Sequence, residues 1–168
     1  IPMSEQVTSA EMKRARHLHA VLLFNLIVNH IFLFLVAVSV IKQSMIPSLL
    51  VPLFSMLMLG YILVNAQRSL TREASWFVRC HWQLAAKRAR TFLLLFVAMG
   101  TFSALIYFGG HAMGMKTLAT LALTFGVGLL PFMVTLLVLV VLEFDAEHQC
   151  KLGKVPPSAA AAYPAPQE

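Results

Sequence analysis

Residues 20–41, 46–66, 92–110 and 117–142 form four apolar stretches that contain no Asp, Glu, Lys or Arg. At 1.5 Å of rise per residue, roughly 20 helical residues cross the ~30 Å hydrocarbon core of a bilayer. A chain built this way is expected to thread a membrane four times as α-helices. Composition agrees, because 59% of the residues are hydrophobic and only 12% are charged. That is more apolar side chain than a soluble domain of this length can bury, so lipid must solvate the remainder. The first stretch is longer than a usual signal-peptide core and no small-residue cleavage site follows it, so it is expected to remain as an uncleaved anchor.

The 13 basic residues outnumber the 7 acidic ones, and their placement explains the excess. Lys13, Arg14 and Arg16 precede the first stretch. Arg68, Arg72, Arg79, Lys87, Arg88 and Arg90 lie between the second and third, and Lys151 and Lys154 follow the fourth. Only Lys42 and Lys116 fall in the other two connections. The positive-inside rule then puts both termini and the central segment in the cytoplasm, an N-in/C-in topology. The basic excess reads as a topology signal with a secondary attraction to anionic lipid headgroups, and it needs no nucleic acid. Cys80 and Cys150 fall on the same side, where thiols stay reduced, and they form no CxxC pair.

The connections at 42–45 and 111–116 are only a few residues long. The expected fold is therefore all-α, with the four transmembrane helices arranged as two antiparallel hairpins and little exposed on the far side. Residues 1–19 form a cytoplasmic N-terminal segment, in which Glu5, Ser9 and Glu11 before the basic cluster suggest a short helix continuous with the first span. Residues 67–91 carry no Pro or Gly. At 100° per residue, Leu70, Ala74, Phe77, Val78, His81, Leu84 and Ala85 gather on one face while Arg68, Arg72, Arg79 and Arg90 lie opposite. This predicts an amphipathic cytoplasmic helix. With Trp76 and Trp82 at its flanks it would lie on the inner leaflet or against a partner. The competing reading is a cytoplasmic extension of the second and third spans with a solvated basic face. The tail over 143–168 ends in a Pro/Ala-rich run that reads as an extended or disordered arm.

Few polar groups interrupt the spans. Asn25, Asn29 and His30 form a cluster near the middle of the first, where an ionisable side chain raises a functional hypothesis and hydrogen bonding between helices offers a structural one. A b-type haem on His30 would need Met56 or Met58 as its second axial ligand. No carboxylate lies within a span, which weakens a proton-coupled transporter reading; Glu143, Asp145 and Glu147 begin where the fourth span ends and are expected among interfacial cations. His17 and His19 form an HxH that reads as two exposed histidines. Gly100 and Ala104 on the third span, and Thr124, Gly128 and Pro131 on the fourth, mark small or polar stripes for helix packing. Pro52 and Pro131 are expected to bend the second and fourth helices.

No nucleophile triad, acidic pair, HExxH, P-loop, GxGxxG or paired-Cys metal motif occurs. The expected function is therefore non-catalytic, with no resident cofactor or metal. It is that of a small subunit of the bacterial inner membrane that assembles or stabilises a larger complex, of the secretion/conjugation or respiratory/photosynthetic type. Other membrane subunits would be its partners, met through the lateral faces and a cytoplasmic surface of Arg68, Arg72, Trp76, Arg79, Trp82 and Arg90. A homo-oligomeric channel or transporter is the first alternative, and a haem- or quinone-binding electron carrier centred on His30 the second.

Overall fold

The computed structural model describes residues 7–40, 43–44 and 46–165. Four long helices dominate the described residues: α1 Ser9–Ser39, α2 Ile46–Arg72, α3 Trp76–Ala112 and α4 Thr117–Lys151. Each is long and apolar enough to span a membrane, so the chain has the architecture of a multi-pass membrane protein. A short fifth helix, α5 Pro157–Ala162, follows. Glu5, Lys42 and Met45 lie outside the described residues.

All four long helices overrun their apolar stretches, and the polar overruns build most of the buried structure. At the start of α1 the cap is Thr8. Its hydroxyl accepts from the Glu11 N–H at 3.3 Å while Glu11 Oε2 accepts from the Thr8 N–H at 2.8 Å. This reciprocal capping box satisfies two otherwise orphaned donors.

The single helix expected over 67–91 is not formed. Its residues are shared between α2, which runs on to Arg72, and α3, which begins at Trp76. Ser75 starts α3 with its hydroxyl facing the Val78 N–H at 3.4 Å, and its own N–H donates to Glu73 Oε1 at 3.1 Å. These short polar side chains offer the backbone an alternative to continuing the helix. The apolar face drawn for this segment is a protein core rather than a lipid surface: Phe77, Val78, His81, Leu84 and Ala85 are buried, whereas Leu70 and Ala74 are exposed.

The described chain divides into two compact units. In the unit formed by residues 1–89 and 140–168, α1 and α2 are antiparallel. His17 meets Tyr61, Asn25 meets Ser55 and Asn29 meets Val51, so contacts advance along one helix as they retreat along the other. The start of α3, the end of α4 and the tail pack against the start of α1. One cluster joins Ala15, Phe77, Val78 and Cys150; another joins Cys80, Leu84, Ala146 and Ala159.

The tail is thus ordered by its own chain, contrary to the extended arm expected from its composition. Gly153 adopts φ 66° just beyond α4, and the bonds Gly153 N–H to Cys150 O and Lys154 N–H to Gln149 O close a Schellman turn. That left-handed residue sends the tail back onto α3. There Trp76 Nε1 donates to Tyr163 O at 2.8 Å and Ala159 is buried.

In the unit formed by residues 90–139, the facing parts of α3 and α4 are also antiparallel. Phe92 and Phe96 pack on Phe132, with ring centroids 5.6 and 5.9 Å apart. A side chain at Gly128 would collide with Ser103, and one at Gly110 would collide with Thr120. Gly114, at φ 71°, closes a second Schellman turn between the two helices, with Met115 N–H on Gly110 O and Gly114 N–H on His111 O.

Two helical stretches widen to π-type hydrogen bonding, Asn25–Leu33 in α1 and Thr124–Leu129 in α4. Pro131, which lacks an N–H for the preceding turn, lies two residues beyond the end of the second.

Candidate functional site

The densest polar chemistry lies just beyond the ends of the apolar stretches, within the unit that holds both termini. His19 comes from α1, His81 and Arg88 from the first turns of α3, Glu143 from α4, and the Lys154 carbonyl from the tail. His19 Nδ1 lies 2.7 Å from Glu143 Oε2, and both side chains have no solvent exposure. His19 Nε2 lies 3.1 Å from His81 Nδ1. His81 Nε2 lies 3.0 Å from Lys154 O. Arg88 Nη1 donates to Glu143 Oε1 at 2.9 Å and to Leu142 O at 2.8 Å. A single chain of contacts therefore runs guanidinium, carboxylate, imidazole, imidazole, carbonyl.

Burial is the dominant influence on these groups. Desolvation, reinforced by the charge of neighbouring His19, pushes the His81 imidazole down to about 4. The thiols nearby are chemically quiet, because burial pushes Cys80 up to about 11 and Cys150 up to about 12. A second ionic group lies closer to solvent: Glu147 accepts from Arg16 at 2.6 Å and from Lys151 at 2.8 Å.

These positions correct two sequence expectations. Glu143 does lie beside a cation, Arg88, but inside the protein rather than at an interface with water, and His19 of the HxH pair is fully buried rather than exposed. The sequence held three usable signals: an imidazole on the apolar face of residues 67–91, an HxH abutting the first apolar stretch, and a carboxylate directly after the last. Each has a bland explanation alone, and only the antiparallel return of the chain brings them together.

The Asn25, Asn29 and His30 cluster is buried and knits α1 to α2. Asn25 Nδ2 donates to Ser55 Oγ at 3.2 Å, and Asn29 Nδ2 donates to Asn25 Oδ1 at 3.1 Å and to Val51 O at 2.9 Å. His30 Nδ1 lies 2.9 Å from the Asn25 carbonyl oxygen. Met56, offered as a haem ligand, sits on the exposed side of α2. Among the described residues no group of three or more His, Cys, Asp or Glu is placed to hold a metal ion.

The six residues drawn together as a cytoplasmic surface separate. Arg68, Arg72 and Arg90 are exposed. Trp76 and Trp82 are committed internally, the latter donating from Nε1 to Arg14 O at 2.9 Å. Arg79 lines a cavity of about 340 Å³ with Leu70, Trp76, Cys80, Gln83 and Tyr163.

Of the packing residues, Gly128 is in tight contact with Ser103, and Thr124 donates its hydroxyl to Thr120 O at 2.8 Å. Pro131 is exposed. Within the unit formed by residues 90–139, Gly100 and Ala104 do not pack against α4: both are exposed, and a side chain added at Gly100 would meet open space.

No protein-family model, curated protein or solved structure matches this chain.

Proposed function

We propose that this chain is a small, non-catalytic subunit of a membrane protein complex, held in the inner membrane of a bacterium with both termini and the 73–75 break on the cytoplasmic side. In this reading the four spans form two membrane hairpins whose cytoplasmic ends are locked by the Glu143–His19–His81 chain. The lateral faces of the spans meet other subunits.

The supporting observation is the third helix. Within the unit formed by residues 90–139, Gly100, Thr101 and Ala104 are exposed, and no described residue of that unit occupies the space beside Gly100 or Gly109. Within lipid no hydrophobic effect draws helices together, so small residues that admit close backbone approach are what permit tight packing. A Gly-x-x-x-Ala stripe left open within its own unit supports a neighbouring helix there.

Isolation from native membranes in mild detergent, followed by native mass spectrometry, tests the reading. The expected result is a stable complex with different membrane polypeptides that Gly100→Leu disrupts while the abundance of the chain is unchanged. A complex of this chain alone would point to a homo-oligomeric channel, and a Soret band would point to an electron carrier. A colourless monomer would contradict the proposal.

A further inference from the structure

The contacts of the buried chain impose a proton count. Three hydrogen bonds link Glu143 Oε2, the two imidazoles and Lys154 O, and each needs one proton between its heavy atoms. The Lys154 carbonyl can only accept. Two neutral imidazoles carry one N–H each and so supply two of the three protons. With an ionised carboxylate and two neutral rings, one contact would set lone pair against lone pair among side chains that have no solvent exposure.

We infer that Glu143, His19 and His81 form a buried proton-binding site that holds one proton beyond the two neutral rings, carried as an imidazolium on His19, and that this proton latches the tail to the bundle. Arg88 places its guanidinium 2.9 Å from the other carboxylate oxygen, which keeps Glu143 ionised and sends the extra proton to the rings. His19 is the ring in contact with that carboxylate. Its Nδ1–H then donates to Glu143 and its Nε2–H donates to His81 Nδ1, and the neutral His81 donates from Nε2 to Lys154 O.

Among the described residues, the charged and titratable groups facing this site are His19 on α1, His81 and Arg88 on α3, and Glu143 on α4, and the tail meets it through the Lys154 carbonyl. His17 faces Tyr61, and Glu147 is engaged with Arg16 and Lys151. Removing the proton at alkaline pH breaks one link of the chain that ends on the Lys154 carbonyl of the tail.

Nitrogen-15 NMR of ring-labelled histidines in the full-length protein in detergent or lipid tests this directly. At pH 7 His19 is expected to show both ring nitrogens protonated and His81 only Nε2. In Glu143→Gln, the amide N–H can donate to His19 Nδ1 and the amide oxygen can accept from Arg88, so the chain closes with two neutral rings and His19 should become the Nε2–H tautomer. Trypsin cleavage at Lys154, normalised to a control peptide, should rise about tenfold per pH unit once the wild-type proton is lost, and should stay flat over that range in Glu143→Gln. A neutral His19 in the wild type at pH 7, or identical alkaline tail release in both proteins, would overturn the inference. The wild-type titration decides the matter even where the variant fails to fold.

Discussion

Glu143 Oε1 lies 2.9 Å from Arg88 Nη1, a contact between a carboxylate with no solvent exposure and a guanidinium only 14% exposed. The same carboxylate reaches His19 through its other oxygen, so one side chain of the fourth helix ties together the first and the third. Breaking a buried ionic group of this kind differs from deleting a surface ion pair, because the partners left behind remain desolvated.

Glu143→Ala is therefore expected to destabilise the protein by about 3–5 kcal/mol, the range for uncompensated buried charge. Glu143→Gln, which preserves every contact, should lose far less. The apparent melting temperature in detergent, read by fluorescence-detected size exclusion, distinguishes the two variants.

Acid should loosen the same region. The His81 imidazole is depressed from 6.5 to about 4 in the folded protein, so between those values the unfolded chain binds the extra proton and the folded one does not. Stability should accordingly fall as pH drops from ~6.5 towards ~4, by up to about 3 kcal/mol at 1.36 kcal/mol per unit. His81→Asn should flatten that limb of the melting temperature against pH. An unchanged acid limb in the variant would assign the loss to other groups.

Trp76→Phe removes the Nε1 bond to Tyr163 O while keeping most of the ring. It should weaken tail docking by about 1 kcal/mol, the net worth of one hydrogen bond. Limited trypsin digestion at Lys154 should then run several-fold faster than in the wild type, with the spans intact.

Two glycines on facing helices should behave oppositely. Gly128→Ala forces a methyl into Ser103 and should destabilise by about 1–3 kcal/mol, as overpacking does. Gly100→Ala enters open space and should be neutral, or stabilising by up to about 1 kcal/mol through helix propensity. Melting temperatures of the isolated chain measure this pair, and a destabilised Gly100→Ala would place an internal contact where none exists.

The spans were readable because their signal is collective. Some twenty residues without a charge admit little else, whichever side chains they contain. The extensions were harder, since Glu143, Arg88 and His19 are individually what any membrane-proximal segment carries. Residues 67–91 show the limit well. Helical periodicity correctly grouped Phe77, Val78, His81, Leu84 and Ala85, but periodicity alone does not distinguish a face turned to lipid from one turned to protein. The break at 73–75 depends on Ser75 and Glu73 capturing backbone groups, a local competition invisible to hydropathy. Gly153 stood at the head of a Pro/Ala-rich tail, where composition masks a helix-ending turn. The stripe of small residues on the third span was legible as a packing face, yet whether its partner is internal or external required knowing that α4 packs along Ser103 and Gly110 instead.

The most direct test of the whole account is sidedness. Single cysteines would be placed at Ala74 and at Met113, both exposed, in a background lacking Cys80 and Cys150, and treated with a membrane-impermeant maleimide. The account predicts that the cysteine at 113 reacts in intact cells whose outer membrane is permeable, whereas the cysteine at 74 reacts only after the inner membrane is opened. Labelling at 74 in intact cells, or equal labelling at both positions, would contradict it.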